Sequence, residues 1–487
     1  MTTEFELKLE VPQAQAQAVR VQLARMRPKT ERLRAIYYDT PERLLQREGL
    51  VLRLRSENGN WVQGLKGDSG RALSRLEHEV ELGRLRGQPR PVAARHEDSP
   101  LGEKLLRVLG RGFDDSAWEA MFETDVERAR AMVDEGASSV EIAFDRGRIV
   151  SGRRKVEVSE IEFELKRGEP AAAVQMARQW CAQHRLWLST ISKAQKGAQL
   201  ARCEGGVGAA AGAAGAEFGK HASLRRIAGE ALAVSLDQVI RNASELAAGS
   251  KDDEHVHQMR VGIRRSRTAL RDLVRCDAAD EEQALIRVFR ELGKHRDVSH
   301  VLQSIAPKLR EAGGPVPGEP EGKRGASPAR SVRSQPFQDA VLSLLAKSCE
   351  LCADQSSGRG AKAGIVRRLA KLHKKVLADG CIFERIPADR QHRVRKRLKR
   401  FRYLAEFTAP LHDGGRLRAY LAKVKKVQDA LGEYIDEMTA LAHYREKAQA
   451  DPRALFAVGW LTADRERVAR ECGRLLRKLA KAEPFWS

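Results

Sequence analysis

Residues 4–10 read Glu4-Phe5-Glu6-Leu7-Lys8-Leu9-Glu10, and Val11 extends the alternation. In an extended strand alternate side chains share a face. Glu4, Glu6, Lys8 and Glu10 therefore lie on one side, and Phe5, Leu7, Leu9 and Val11 on the other. The apolar side is ordinary core. The charged side sets carboxylates next to one another, and such neighbours repel unless a cation sits among them. A solvated edge strand carries the same pattern, so the segments that follow have to decide.

They repeat the pattern. Strand-like runs follow at 33–38, 50–55, 61–66, 77–82, 126–133, 140–144 and 157–166. Arg53 and Arg55 alternate with Leu52 and Leu54, and Arg128 shares parity with Arg130. Glu77, Glu79 and Glu81 share a face, and Glu160, Glu162 and Glu164 alternate with Ile161, Phe163 and Leu165. Each strand shows one sign on its polar face, whereas an ordinary half-buried sheet mixes them. Closing such strands into a barrel with the charges inside makes a polar tunnel. Its acidic patches suit Mg²⁺ or Mn²⁺, and its basic patches suit phosphate oxygens. Helical periodicity is expected at 13–27, 101–109 and 171–185, with loop through the rest of 84–115, where Pro89, Pro91 and Pro100 interrupt. Asp39 precedes Pro41 and reads as a turn residue. His78 has the opposite parity to Glu77 and Glu79 and should face away from the tunnel.

The chain has 487 residues, enough for about three domain-sized units. Its hydrophobic content of 42% includes no apolar run near a membrane span, and the start Met-Thr-Thr-Glu lacks the features of a signal peptide. Seven cysteines form no disulfide framework, which points to a reducing, cytoplasmic setting. Cys349 and Cys352 read as half-buried helix cysteines rather than a zinc site. Charge is unevenly placed. Residues 1–204 carry 35 Lys+Arg against 31 Asp+Glu, while the remainder carries 53 against 35, so most of the net +22 lies in the C-terminal part. That part is the candidate for binding a polyanion.

Between the two parts, Gly205–Gly215 is almost purely Gly and Ala and reads as a flexible tether between independently folding neighbours. Everything after it reads as helix and contains a repeat. His257-Gln258-Met259-Arg260-Val261-Gly262-Ile263-Arg264-Arg265 recurs as His392-Arg393-Val394-Arg395-Lys396-Arg397-Leu398-Lys399-Arg400. A second block, Leu292-Gly293-Lys294-His295-Arg296-Asp297, recurs as Leu431-Gly432-Glu433-Tyr434-Ile435-Asp436. Two similar halves imply a duplicated helical unit. His257, Arg260, Arg264, Arg267 and Arg271 make one stripe at helical spacing, and His392, Arg395, Lys399 and Arg402 make another. Like charges at that spacing destabilise a helix by about 0.2–0.5 kcal/mol per pair unless an anion neutralises them.

The N-terminal residues resemble the CYTH superfamily, the triphosphate tunnel metalloenzymes. Glu4-Phe5-Glu6-Leu7-Lys8 matches its Glu-x-Glu-x-Lys signature. Residues 36–41 (Ile-Tyr-Tyr-Asp-Thr-Pro), 49–55, 141–147, 160–164 and 192–197 look like further family blocks in family order. The resemblance implies that Glu4, Glu6, Glu160 and Glu162, with Glu164 as neighbour, hold Mg²⁺ or Mn²⁺. It implies that Lys8, Arg53, Arg55, Lys66, Arg128 and Lys193 grip a triphosphate, with Arg130 sharing the face of Arg128. Glu77, Glu79 and Asp145 complete the tunnel, and Glu4, Glu6 and Lys8 would serve catalysis. The helical repeat resembles CHAD, the conserved-histidine α-helical domain. That resemblance implies binding of inorganic polyphosphate by His257, Arg260, Arg264, Arg265, Arg267 and Arg271, and by His392, Arg395, Lys396, Lys399, Arg400 and Arg402. Ile435 departs from the arginine at position 296, so the two halves should not contact ligand identically.

The expected fold is α+β plus all-α. A CYTH-like eight-stranded antiparallel β-barrel tunnel with flanking helices spans 1–203, a linker spans 204–217, and a CHAD-like duplicated helical domain spans 218–487. The last comprises bundles at 218–311 and 337–487 joined by a disordered loop at 312–336. The expected activity is metal-dependent hydrolysis of inorganic tripolyphosphate or short polyphosphate, with long-chain polyphosphate bound by the helices, in the cytoplasm or at polyphosphate granules. Rival readings are a polyphosphate-binding protein without turnover, and adenylyl cyclase or thiamine-triphosphatase chemistry in the same tunnel. Nucleic acid ranks below polyphosphate, because the basic stripes have few stacking aromatics and no recognition motif.

Overall fold

The structure, a computed structural model, describes residues 2–202, 208–274, 278–294, 297–316, 327–356 and 358–486. Eight antiparallel strands build the N-terminal part. They are β1 (Thr2–Glu10), β2 (Lys29–Asp39), β3 (Leu50–Glu57), β4 (Asn60–Asp68), β5 (Ser74–Arg84), β6 (Glu119–Glu135), β7 (Ser138–Ser151) and β8 (Arg154–Arg167). Their order is β5-β4-β3-β2-β6-β7-β8-β1, and the pairing of β1 with β5 closes the barrel. β1 does this by dividing its length. Its start pairs with β5 (Thr2 opposite Glu77) and its end with β8 (Lys8 opposite Glu162, Glu10 opposite Glu160). Every expected strand is present, most of them longer than expected. A two-residue strand, β9 (Trp187–Leu188), adds to the end of β1 and is too short to show periodicity.

The barrel is turned inside out relative to an ordinary one. Leu7, Leu9, Leu52, Leu54, Ile161 and Phe163 are fully buried on its outer face. Helices α1 (Ala16–Ala24), α2 (Leu44–Arg47), α3 (Pro100–Leu109) and α4 (Pro170–His184) flank the strands. On one side the outer residues of β2–β4 join Leu45, Leu101 and Leu105 in one cluster. On another, Phe163 meets Trp180 of α4 edge-on at 6.1 Å between ring centres. Asp39 acts as a turn residue, as expected: its carboxylate accepts the backbone N–H groups of Thr40 (2.8 Å), Leu45 (2.9 Å) and Gln46 (3.0 Å) and so fixes α2. His78 faces away from the tunnel, its Nδ1 2.9 Å from Nδ1 of buried His96.

The interior has two sections. At one end Leu33, Ala35, Tyr37, Phe122, Val126, Ile149 and Val158 form an apolar layer, against which pack Ala194, Ala198 and Leu200 of α5 (Lys193–Ala201). By strand parity these residues share the face of Arg53, Asp145 and Glu160, so α5 plugs that end of the barrel. Close approach is possible because residue 197 is glycine: a Cβ there would lie 2.2 Å from the Phe122 ring. Ser192 and Gln195 form a capping box that starts the helix. The rest of the interior is charged.

The remaining elements are helical: α6 (Leu224–Ala247), α7 (Asp253–Ala269, continuing through a π turn to Val274), α8 (Ala279–Lys294), α9 (Asp297–Glu311), α10 (Pro328–Val332), α11 (Gln335–Cys352), α12 (Ala361–Gly380), α13 (Ala388–Phe407), α14 (Gly414–Lys447) and α15 (Ala454–Ala480). The two basic stripes fall on α7 and α13, the second block of the repeat on α14, and Cys349 and Cys352 in α11. Contacts divide the chain into two compact units. One holds residues 1–212, 236–259 and 328–349, and the other holds 213–235, 260–327 and 350–487.

Two expectations need correction. The Gly/Ala segment is not a free tether along its length. The Ala211 N–H donates to Asn242 Oδ1 at 3.1 Å and the Asn242 amide donates back to the Ala211 carbonyl at 3.0 Å, with Asn242 fully buried. Nor is 312–336 uniformly irregular, since α10 and the start of α11 lie within it, while 317–326 fall outside the described residues. Packing first divides the chain within 204–217, between Gly212 and Ala213, and the barrel's compact unit also takes in α10 and parts of α6, α7 and α11.

Candidate functional site

Register brings the charged faces of β1, β3–β8 together around the tunnel. Lys193, at the start of α5, sits between three carboxylates: Asp145 at 2.6 Å, Glu160 at 2.6 Å and Glu162 at 2.8 Å. Asp145 and Glu160 are wholly inaccessible. Oxygens of these three acids lie within 4.8 Å of one another. Arg128 grips Asp145 with two hydrogen bonds of 2.7 Å and reaches Glu162 at 2.5 Å. Lys8 is 5% exposed; its ammonium donates to the Ile191 carbonyl and lies 3.4 Å from Glu160. On the opposite wall Arg53 contacts Glu77 and Glu79, each at 3.1 Å, and Lys66 contacts Glu77 at 2.7 Å. Arg55 meets Glu57 at 2.6 Å and Glu79 at 3.3 Å.

The electrostatics follow from this placement. Burial works against every charged form, but Lys193 with Lys8, and Lys193 with Arg128, hold Glu160 and Glu162 in the ionised state, Glu162 at about 2. Arg53 and Lys66 do the same for Glu77. At Glu4 and Glu6 burial and neighbouring acids outweigh the nearby cations, Lys66 for Glu4 and Arg75, Lys66 and Lys193 for Glu6. Burial and the neighbouring Glu77 push Glu4 up to about 7, and burial with Glu162 raises Glu6. Burial lowers Lys8 despite Glu160. The donor set is oxygen only, and it includes two carboxylates, Glu4 and Glu6, that burial and neighbouring acids hold above their ordinary range. That is the chemistry a small divalent cation requires.

All the acids and cations expected from the tunnel sequence are brought to this interior, but not equally. Arg128 belongs to the deep cluster, whereas Arg130 pairs with Glu31 (2.9 Å) and Glu141 (3.4 Å) and its side chain is 35% exposed. Glu164 stands opposite Glu6 and pairs with Lys166 at 2.5 Å. The sequence reading missed Lys196, which bridges Glu10 (2.6 Å) and Glu160 (2.9 Å). It also missed Glu31, Glu141 and Arg75, the last opposite Glu4, and it gave Glu10 no site role although it set Glu10 on the charged face of β1. Parity with Glu4 and Glu6, and a three-residue step from Lys193, were the signals for Glu10 and Lys196.

The helical stripes resolve into several environments. Arg260 and Arg264 lie over the Phe289 ring at 4.6 and 5.6 Å. Lys399 faces Arg264, Arg395 and Arg402; burial and these three guanidinium groups pull its ammonium down to about 7, against Asp436. Arg267 and Arg271 pair with Glu282 at 2.8 and 2.5 Å, and Arg400 is held by Asp272. His257 and Lys396 are exposed, and His392 is half-buried. Arg265 departs from expectation. It is 1% exposed, bonded to Glu406 at 2.7 Å and stacked at 4.7 Å over Phe407, so it is part of the core and presents nothing to a ligand. Adjacent helix positions point about 100° apart, which is why Arg264 and Arg265 part ways. Arg296, to be compared with Ile435, lies outside the described residues.

Known proteins divide along the same line. The chain is 28% identical over 162 residues to the inorganic triphosphatase of Haemophilus influenzae, a match covering 33% of this chain and 44% of that protein's length. The CHAD domain from the plant Ricinus communis is similar in structure, with a TM-score of 0.48 at 24% identity over 57% of this chain and 98% of that one. The Hippeastrum protein HpAC1, which has a dominant triphosphatase activity, gives a TM-score of 0.32 at 20% identity over 40% of this chain and 94% of its own. Family models match the chain as a CYTH domain at residues 2–198 and a CHAD domain at residues 230–445.

Proposed function

We propose that the tunnel hydrolyses inorganic tripolyphosphate and short polyphosphate with Mg²⁺ or Mn²⁺, and that the basic cluster on α7 and α13 binds long-chain polyphosphate. One observation carries the first half: buried carboxylates and buried cations are interleaved around a single interior, from Lys193 with its three acids to Arg53 and Lys66 on the far wall. Binding a phosphate chain alone would not need the carboxylates. A chain bridged to a divalent cation uses both, because the cation engages acids while the phosphate engages the lysines and arginines they release. Local charge stays balanced through the exchange.

Glu4, Glu6, Glu160 and Glu162, with Glu164 beside them, would hold the cation, which when bound polarises a phosphoryl oxygen and neutralises charge. The rest falls to the chain. Arg53, Arg55, Lys66, Arg128 and Lys193 hold the phosphate oxygens, the arginines through paired donors. Lys8, tied to the Ile191 carbonyl, keeps a cation against the chain at a set point. The enclosing barrel limits competing water, and in that setting charge contacts are stronger than in solution. Phosphoryl transfer to water requires mainly such positioning. The name of the Haemophilus relative points the same way. Cys181, Cys381 and Cys472 carry free thiols, which fits a reducing compartment.

For the helices the supporting observation is the crowding of Lys399 by Arg264, Arg395 and Arg402. Polymer held there would keep substrate at high effective concentration on the same chain. The substrate assignment is tested by assaying phosphate release from tripolyphosphate, ATP and thiamine triphosphate with Mg²⁺ or Mn²⁺, and cyclic AMP formation from ATP. Tripolyphosphate should be turned over fastest. Faster cyclic AMP formation or thiamine triphosphate cleavage would replace the substrate, and no turnover of any would leave a binding protein.

A further inference from the structure

One face of α6 carries Asp237, Arg241 and Ser244, spaced i, i+4 and i+7 over about 10 Å of helix. Each reaches the barrel. The Asp237 carboxylate accepts the Ala72 N–H in the turn between β4 and β5, and its other oxygen takes Arg241 Nε at 3.0 Å. Arg241 also lies 3.5 Å from Asp68 at the end of β4. The Ser244 hydroxyl accepts the Thr190 N–H at 3.0 Å while donating to the Ile240 carbonyl at 2.8 Å, and Ser244 is 2% exposed. From α11, buried Gln338 accepts the Leu188 N–H at 2.9 Å, Gln335 donates to the Leu186 carbonyl at 3.1 Å, and Asp339 receives Arg178 at 2.6 and 3.0 Å. All these groups belong to one compact unit.

What they hold is close to the chemistry. Residues 186–192 connect α4 to α5, the plug that carries Lys193 and Lys196. Ser189 N–H donates to the Lys8 carbonyl at 2.9 Å, and the Lys8 ammonium donates to the Ile191 carbonyl. A small cavity is lined by Glu6, Lys8, Ala72, Leu73, Arg75, Ser189 and Thr190. Its two loop walls, at Ala72 and Thr190, are the two backbone sites that α6 holds.

We propose that the Asp237/Arg241/Ser244 face of α6, together with Gln338 of α11, is a positioning element for the tunnel. It sets the path of residues 188–191 and thereby the places of Lys8 and Lys193. The helices that follow the Gly/Ala segment are then part of what makes the tunnel competent, in addition to any polymer they bind. The buried Leu188 N–H and the half-buried Thr190 N–H would otherwise lack these acceptors, and that loss is costly. Displacement of a catalytic cation by about 1 Å is enough to lower a rate by up to about a hundredfold. This inference rests on the triphosphatase reading of the tunnel, but its test does not depend on turnover alone.

The experiment compares the full-length protein with Ser244→Ala/Gln338→Leu, and with Ser244→Thr, which keeps a hydroxyl acceptor for Thr190. Readouts are tripolyphosphate affinity by calorimetry, kcat and KM, amide exchange at Leu188 and Thr190, and retention of long-chain polyphosphate. The double variant should bind tripolyphosphate about tenfold more weakly and lose about tenfold or more in kcat. Exchange at both amides should quicken, and polyphosphate retention should be unchanged. Ser244→Thr should keep most of the affinity. Wild-type affinity and turnover in the double variant, with both amides exchanging faster, would overturn the proposal. A wild type that binds tripolyphosphate without cleaving it, with binding that still weakens in the double variant, would remove the hydrolase and leave the positioning role standing.

Discussion

The tunnel and the basic helical cluster both concentrate charge, but they handle it in opposite ways. In the tunnel each sign is answered by the other at close range: Lys193 by Asp145, Glu160 and Glu162, Arg128 by Asp145 and Glu162, Arg53 by Glu77 and Glu79. Around Lys399 three guanidinium groups, Arg264, Arg395 and Arg402, crowd one ammonium with Asp436 acting against them, and Arg402 also pairs with Glu406 at 2.8 Å. A paired network is stable without ligand and binds by exchanging partners, so it can select a ligand that brings both signs, such as a metal-bound phosphate chain. A like-charge cluster raises the free energy of the empty protein and is relieved by any dense polyanion. The first arrangement suits chemistry on one substrate, and the second suits retention of a polymer.

The largest effect should come from breaking the paired side. Lys193→Met leaves Asp145, Glu160 and Glu162 facing one another in an enclosed site, and stripping one partner from a buried ion network costs about 3–5 kcal/mol. Denaturant unfolding of the barrel should report a loss of that size, and excess Mg²⁺ should restore part of it. A loss below about 1 kcal/mol would mean that the three acids do not depend on Lys193.

A smaller, pH-dependent effect should sharpen the helical side. Lys399 is lowered to about 7, so in the empty protein it is charged below that pH and increasingly neutral above it. A bound polyanion stabilises the ammonium and raises its pKa again. Polyphosphate binding should therefore be insensitive to pH below about 7 and take up a proton above it. Affinity should fall with rising pH by up to about tenfold per unit until the bound-state pKa is passed. Lys399→Arg stays charged throughout and should flatten the slope. Calorimetry between pH 6 and 9 in buffers of different ionisation enthalpy measures both the slope and the proton.

The parts of this arrangement that depend on local period were legible in the chain itself. A strand repeats every two residues, so parity alone separates the inward set Glu4, Glu6 and Lys8 from the outward set Leu7 and Leu9. The same holds for Glu160 and Glu162 against Ile161 and Phe163. What depends on contacts between distant segments was not legible. That α5 enters the barrel rests on Gly197 meeting Phe122, and nothing in an Ala- and Gln-rich helix announces it. Lys196 was passed over for that reason, although it bridges Glu10 and Glu160. In the helices, spacing identified stripes but not their partners. Arg265 is consumed by Glu406 and Phe407, and Arg267 with Arg271 by Glu282. The Gly/Ala segment reads as loose by composition, yet the Asn242 side chain pins it at Ala211. A side chain some thirty residues away leaves no trace in local composition.

The most direct test of the account is a crossed pair of variants, each measured for tripolyphosphate hydrolysis with Mg²⁺ or Mn²⁺ and for binding of long-chain polyphosphate. Glu4→Gln/Glu6→Gln alters the tunnel, and Arg264→Ala/Arg395→Ala/Lys399→Ala alters the helical cluster. The account predicts that the first abolishes metal-dependent phosphate release and leaves polymer binding at wild-type strength, while the second does the reverse. Unimpaired hydrolysis in the tunnel variant, or loss of both activities in each, would contradict it.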